Sequence, residues 1–259
     1  MIQKDIAAAP SAGSSSSERS LALLALVAAE GRALSLAELS ARLGLPKASA
    51  HRICAQLLEG GWLMRDLDER SFSVGPALRR LALDALNNGV VRGLRHEVLA
   101  ELVAKVGETC NFTTLDGSAV LYLDRVEAPW PWRLTLDVGA HVPLHCTASG
   151  KLFLATMAPA RREALIARLR LDALTPATIV SVDALREECR RIAERGWSSD
   201  REEFITGLNA AAVPVLDARG NTRAAIAVHA PSARMSIDDA LARLPALRQA
   251  AARMAAMLY

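Results

Sequence analysis

The chain has 259 residues, which is enough for one large domain or two domains of ordinary size. Apolar residues make up 51% of it and charged residues 23%, so real hydrophobic cores are expected, while the formal net charge is only +3. A charge this weak excludes a uniformly basic protein, and any surface that binds nucleic acid must be local.

The beginning of the chain lacks the apolar core of a signal peptide, and no apolar run reaches the roughly 18 residues of a transmembrane helix. The cysteines form no CxxC motif, which favours free thiols over a disulfide framework: Cys54, Cys110, Cys146 and Cys189. Together these features predict a cytoplasmic protein that has no membrane partner.

The first residues predict a tail followed by a helix. Residues 1–16 are mostly Ala, Ser, Gly and Pro, which cannot bury enough apolar surface to offset ordering, so a disordered tail is expected. A helix is predicted over 18–29, with Leu21, Leu24 and Val27 along one side.

Two further helices follow in close succession. Ser35 with Glu38 three residues later forms a capping box, which predicts a helix over 36–43. Pro46 suits the first position of a third helix, predicted over 46–59, because its missing N–H costs nothing there.

The predicted third helix has one apolar face and one polar, cationic face. Its apolar positions follow the i, i+3, i+4, i+7 spacing: Ala50, Ile53, Cys54 and Leu57. The opposite face combines small and cationic residues: Lys47, Ala48, His51, Arg52 and Ala55. Such a face suits close approach to bases and phosphates, although a purely structural three-helix unit stays open as the alternative.

Two short strands, 62–64 and 72–74, follow this helix, and the RDLDER turn between them is charged. This order of elements predicts a winged helix-turn-helix over 17–75. The residues expected to contact DNA are on the third helix and the wing: Lys47, Ser49, His51, Arg52, Arg65 and Arg70. For each arginine, a solvated surface charge is the alternative.

The rest of the chain predicts an α+β domain with an antiparallel sheet. A helix over 76–88 is predicted to link it to the first domain. Further helices are predicted over 92–106, 147–157, 159–171 and 185–195 and from Ser236 to the C-terminus. Strands are predicted over 110–115, 119–126, 208–216 and 222–229 and through Leu134, Leu136 and Val138.

Four segments, in this order and spacing, carry a resemblance to a known family: GLPKASAHRICAQL, GETCNFTTLDGSAVLYLDRV, VPLHCTASGKLFLA and the run from TIVSVDALREEC to LDARG. From about Glu18 onward the chain resembles the IclR family of bacterial transcription regulators. The resemblance implies a DNA-binding domain at 17–75, a linker helix at 76–91 and a GAF-like effector domain at 92–259.

Family membership further implies a homodimer or a dimer of dimers on a pseudo-palindromic double-stranded DNA operator. A small organic acid, for example an aromatic or oxo acid of a catabolic pathway, would be the effector. Neither a cofactor nor enzymatic activity is expected. The rival hypotheses are a small hydrolase that uses Ser149 or Cys146 with His145, and a ligand-sensing module without DNA binding.

The segment Thr147–Lys151 is the first candidate for effector binding. Thr147 can cap a helix, and the free N–H groups after it, at Ala148 and Ser149, can bind an anion. The segment is not a Walker motif, and an ordinary capped helix is the alternative. The resemblance implies that this loop borders the effector pocket.

Asp200, Glu202 and Glu203 follow a predicted strand, and such a trio indicates acid–base chemistry, metal binding or a solvated loop. The resemblance implies that Asp200 lines the effector pocket. Arg201 stands where the family usually has a second acid, which favours an anionic effector unless the side chain points to solvent.

Other effector contacts are expected from the strands and one loop: Cys110, Asn111, Arg133, Leu208, Ala210, Ala227 and His229. Arg133 would pair with a carboxylate or be exposed. Trp130 and Trp132 are expected in the core, on a partner surface or in a pocket lid. His141 and His145 have metal-ligand spacing, but Pro143 argues against one continuous helix, so no metal site is predicted.

Overall fold

The computed structural model describes residues 14–30, 32–66, 69–87, 89–131 and 136–258. These residues form two compact units, one up to Leu86 and the other from Asn87 onward. Residues 1–13 of the predicted tail, as well as Trp132 and Arg133, lie outside the described residues.

In its described residues, the first unit contains four helices and a small antiparallel sheet. Its helices are α1 (Ser16–Glu30), α2 (Leu36–Leu43) and α3 (Lys47–Glu59), and α4 (Pro76–Asn87) follows them. The strands β1 (Leu34–Ser35), β2 (Leu63–Arg65) and β3 (Ser71–Val74) pair in the order β1-β3-β2. This is a winged helix-turn-helix, as predicted, although the two-residue strand β1 is too short to leave a periodic pattern.

Capping fixes the start and end of α2. The side chain of Ser35 accepts a hydrogen bond from the Glu38 N–H, and the Glu38 carboxylate accepts from the Ser35 N–H, so the predicted capping box is confirmed. Gly44 ends the helix with a φ of 62°, a left-handed conformation that glycine adopts without strain.

The core of the first unit confirms the predicted inner face of α3, whose four apolar residues are all buried: Ala50, Ile53, Cys54 and Leu57. The predicted stripe of α1 was partly wrong. Leu21 is 66% exposed, and the helix instead buries Leu23, Leu26 and Val27. Several leucines on α1 allowed more than one apolar face, and contact with the other elements selected between them.

The second unit is a six-stranded antiparallel sheet with helices, in the predicted α+β class. Its strands are β4 (Thr109–Asp116), β5 (Ala119–Val126), β6 (His141–Pro143), β7 (Ser198–Arg201), β8 (Leu208–Leu216) and β9 (Thr222–Pro231). They pair in the order β6-β5-β4-β9-β8-β7. The helices are α5 (Gly89–Val106), α6 (Ala148–Thr156), α7 (Pro159–Ile166), α8 (Val182–Arg195), α9 (Ile237–Ala242) and α10 (Leu244–Leu258). Within the described residues, no helix is long and apolar enough to span a membrane.

Three predictions about this unit were wrong. The helix expected over 159–171 ends at Ile166. The described part of the strand expected at 134–138, from Leu136 onward, is irregular, and the edge strand is β6 instead. The last helix is split into α9 and α10, because Pro245 lacks an N–H and is tolerated only in the first turn of a new helix.

Candidate functional site

The cationic face of α3 is exposed. Lys47, His51 and Arg52 are exposed and make neither an ion pair nor a side-chain hydrogen bond with any described residue, and Ser49 is half-buried. Their polar groups are therefore available to a ligand outside the unit. An exposed helix with free cationic side chains over a packed inner face is the form in which helix-turn-helix proteins meet the major groove.

The two arginines of the wing are also exposed, but Arg65 is held in place. Its guanidinium lies 4.6 Å from the centre of the Phe72 ring, and its Nη1 donates to the Glu69 carbonyl at 3.1 Å. Arg70 is exposed near the tip. The wing thus presents two positive charges, one of them with a restricted orientation.

The second unit contains a cavity between the sheet and α6, with about 390 Å³ of empty space, part of it open to solvent. Most of the residues expected to bind an effector line it: Asn111, Ala148, Ser149, Asp200, Leu208, Ala210, Ala227 and His229. This region of the second unit is called the effector cavity below.

Strand register explains why these residues meet. Asp200 pairs with Ala210 across β7 and β8, and Ala210 pairs with His229 across β8 and β9. Directly paired residues share a face of the sheet, so Asp200 and His229 lie on one face with their backbones two strand spacings apart, or roughly 10 Å. Ala210 between them is small, and its size leaves the space above the sheet empty.

The N-terminus of α6 forms another wall of the effector cavity. Thr147 caps the helix, since its Oγ1 accepts from the Gly150 N–H at 3.1 Å and donates to the Pro143 carbonyl at 2.7 Å. Gly150 allows close packing here, because a Cβ at this position would lie 2.4 Å from the Leu144 carbonyl oxygen. The first residues of the helix, Ala148 and Ser149, line the cavity.

Asp200 lies within β7, not after a strand as expected, and it is only 2% exposed. Its Oδ1 accepts from the Glu203 N–H at 2.7 Å and from the Phe204 N–H at 3.3 Å. Burial and the neighbouring charge of Glu203 nevertheless raise the pKa of Asp200 to about 7. Arg201 is exposed, and Glu202 instead accepts from the Gly207 N–H.

A buried ion pair connects α6 to the segment after β7. The Nζ of Lys151, which is 1% exposed, donates to Glu203, which is 6% exposed. Two charges buried at this depth are stable only as a pair. The pair therefore fixes the helix that begins at the effector cavity against the segment that directly follows the strand of Asp200.

His229 and Asn111 form a polar pair on the sheet wall of the effector cavity. Asn111 Nδ2 lies 2.8 Å from His229 Nδ1, and both side chains are buried. Burial, together with the positive charge of Arg125, lowers the pKa of His229 to about 3, so the imidazole is neutral at ordinary pH.

Cys110 does not line the effector cavity, although it was expected to contact an effector. Neighbouring residues on a strand point to opposite faces, so Cys110 points away where Asn111 points in. Its Sγ donates to the Glu108 carbonyl, and burial raises the pKa of the thiol. All four cysteines are free and buried, which confirms the thiol prediction.

Several lining residues were not selected from the sequence: Val120, Tyr122, Leu136, Val142 and Phe204. Val120 and Tyr122 are two positions apart on β5 and therefore share a face of the sheet. This alternation in the sequence could have identified them as lining residues. Phe204 follows β7 in an irregular segment, so no local pattern marks it.

The two histidines considered for a metal site or a hydrolase make other hydrogen bonds. His141 hydrogen-bonds Asp116 at 3.0 Å, while His145 donates to the Asp172 carbonyl at 3.1 Å. Burial raises the pKa of Cys146 to about 12, which makes it a poor nucleophile. In the part of the chain that the structure describes, no three His, Cys, Asp or Glu side chains are placed to hold a metal ion.

Trp130 lies on the surface of the second unit and is not a lining residue of the cavity. Its Nε1 donates to the Gly107 carbonyl at 2.9 Å, and the Arg234 guanidinium lies 5.1 Å from the centre of its ring. The indole thus packs over the end of α5 and is 42% exposed.

Known proteins are similar to this chain over nearly its whole length. Residues 16–67 match the IclR helix-turn-helix domain, and residues 83–256 match the family described as bacterial transcriptional regulator IclR C-terminal. The chain is 42% identical to the "Probable transcriptional regulator SauR" of Cupriavidus necator over 237 residues, covering 91% of this chain and 94% of that protein. It is 29% identical to the transcriptional repressor IclR of Escherichia coli over 257 residues, with 98% and 93% covered.

Among solved structures, IclR of Thermotoga maritima has the same fold, with a TM-score of 0.62, 24% identity and coverage of 93% of this chain and 97% of that one. The matched relatives are transcription regulators and not enzymes. The chain belongs to the IclR family of bacterial transcription regulators.

Proposed function

We propose that a small organic acid, bound in the effector cavity, controls the binding of this regulator to its operator. The observation that carries the proposal is the convergence, in one cavity, of the α6 N-terminus, buried polar side chains and an apolar wall. Ligand sites of small metabolites have this composition, with mostly apolar walls and a few placed polar groups.

The α6 N-terminus supports an acid as the ligand. Free N–H groups and the helix dipole favour an anion beside Ala148 and Ser149. No lysine or arginine is among the described lining residues, so a carboxylate would be bound mainly by backbone N–H groups. Because the pKa of Asp200 is raised to about 7, this residue repels an anion less than an ordinary aspartate would.

For the DNA-binding unit, we propose that α3 enters the major groove. Lys47, Ser49, His51 and Arg52 would contact bases and phosphates, and Arg65 and Arg70 of the wing would contact the adjacent backbone or the minor groove. Two protomers, as a dimer or within a dimer of dimers, would read the half-sites of a pseudo-palindrome.

Control requires that the acid binds one state of the protein better than another. We propose domain bounds of 17–75 for the DNA-binding domain and 92–259 for the effector domain, with the residues between them as the linker. Coupling between such sites is typically about 1–3 kcal/mol, or roughly 5- to 150-fold in operator affinity.

A footprint of the full chain on its own upstream DNA tests this proposal. The titration is repeated with a panel of aromatic, oxo and hydroxy acids and with the matching amides as uncharged controls. We expect at least one acid to shift the operator affinity at least fivefold, while its amide does not. Equal footprints with every acid, or an equal response to the amides, would contradict control by an acid.

A further inference from the structure

The polar pair formed by Asn111 and His229 has two atoms without a partner. Asn111 Oδ1 and His229 Nε2 are both buried and make no hydrogen bond within the described structure. The side chains are 1% and 5% exposed, and both line the effector cavity. Buried polar atoms normally have a partner, so this pair indicates a group that the ligand supplies.

The chemistry of the pair defines that group. Asn111 Nδ2 donates to His229 Nδ1, so the neutral imidazole carries its proton on Nε2. The pair thus offers one donor, His229 Nε2–H, and one acceptor, Asn111 Oδ1. Turning the amide over and moving the imidazole proton to Nδ1 exchanges these two roles but still leaves one donor and one acceptor.

A hydroxyl group matches this pair of one donor and one acceptor, since it accepts one hydrogen bond and donates another. A ketone or a carboxylate only accepts, and it would leave the acceptor of the pair facing a second acceptor. A methyl group would leave both atoms without a hydrogen-bond partner. Sites that bind a hydroxyl group discriminate in this way against ligands that lack one.

We infer that the effector is a hydroxycarboxylic acid whose hydroxyl group is recognised by Asn111 and His229. This inference rests on the proposed function, in which the carboxylate lies at the α6 N-terminus. The small side chains of Ala210 and Ala227 leave room between these two polar regions for the carbon skeleton.

Matched pairs of acids test the inference by calorimetric titration of the full chain. The pairs are 4-hydroxybenzoate with benzoate, 3-hydroxybutanoate with butanoate, and glycolate with acetate. In the wild type we expect at least one hydroxy acid to bind tenfold or more tightly than its partner. In His229→Phe, which keeps a planar ring but removes the donor, this preference should fall below threefold.

The control is His141→Phe, the same substitution at a half-exposed histidine outside the effector cavity, which should keep the wild-type preference. A cooperative thermal transition shows whether His229→Phe is folded, and Asn111→Leu provides a second variant. If acids bind but the wild type does not prefer the hydroxy acids, the inference is wrong and the proposed function survives. If the preference persists in both folded variants, the assignment to this pair is wrong. If no acid binds, both proposals fail.

Discussion

The exposed face of α3 and the effector cavity are built in different ways. The face consists of residues from one helix, Lys47–Glu59, in which side chains three or four positions apart lie on the same side. The cavity takes its lining from all six strands of the sheet, from α6 and from irregular segments, over positions from Asn111 to His229. A local surface tolerates the loss of one residue as a partial loss of affinity, whereas a cavity can be closed by one substitution.

The largest expected effect is therefore closure of the effector cavity by Ala210→Leu. The larger side chain would fill the space between Asp200 and His229, and binding of the acids should become undetectable by calorimetry, at least 100-fold weaker. Ala218→Leu makes the same change at an exposed turn and should bind like the wild type. Retained binding in a folded Ala210→Leu protein would place the ligand elsewhere.

The next effect concerns pH. The pKa of Asp200 is about 7 in the folded chain against an ordinary 3.8, so the folded state holds this proton more tightly. The protonated carboxyl contributes to the free energy of unfolding below about pH 4. This contribution, at most about 4 kcal/mol, is lost as the pH rises to about 7.

His229 has the opposite slope, because its pKa is lowered to about 3, so its contribution is lost as the pH falls below 6.5. The measurement is therefore the difference between the wild type and Asp200→Asn in urea unfolding from pH 4 to 8. Asp238→Asn, at an exposed site, is the control. If Asp200→Asn shows the same pH dependence as the wild type, Asp200 does not titrate as described.

Gly150→Ala is expected to lower the free energy of unfolding of the second unit by about 3 kcal/mol, because the new Cβ would meet the Leu144 carbonyl oxygen. Gly93→Ala is the matched control, since a Cβ there meets nothing within 4 Å. In its helical position this change should stabilise by about 0.5–1 kcal/mol. Equal stabilities of the two variants would contradict the tight packing at the start of α6.

The smallest effect is expected on the exposed face. Arg52→Ala should weaken operator binding roughly 10- to 100-fold if the guanidinium reads a base, or reduce the salt dependence by about one ion if it contacts a phosphate. Arg170→Ala removes the same charge from an exposed site in the second unit and is the control for net charge. An unchanged mobility-shift titration of Arg52→Ala would remove this residue from the DNA contacts.

Sequence reasoning reached most of the effector cavity, but it failed where the residue pattern is not local. It selected Cys110 as well as Asn111. On the paired strand β4 these neighbours point to opposite faces of the sheet, so only one of them can line the cavity. It placed Asp200 in a loop, because the four-residue strand β7 is too short for a period to show. Phe204 was missed because it follows this strand in an irregular segment.

The amino-acid sequence by itself determined the capped ends of α2, the exposed cationic side of α3, the free thiols and the family, because capping, periodicity and motif order are properties of neighbouring residues. Only the tertiary structure decided that Lys151 pairs with Glu203, that Asp200 faces His229 across Ala210, and that their pKa values move in opposite directions from ordinary ones. These properties depend on strand register and burial, which bring together residues that are far apart along the chain.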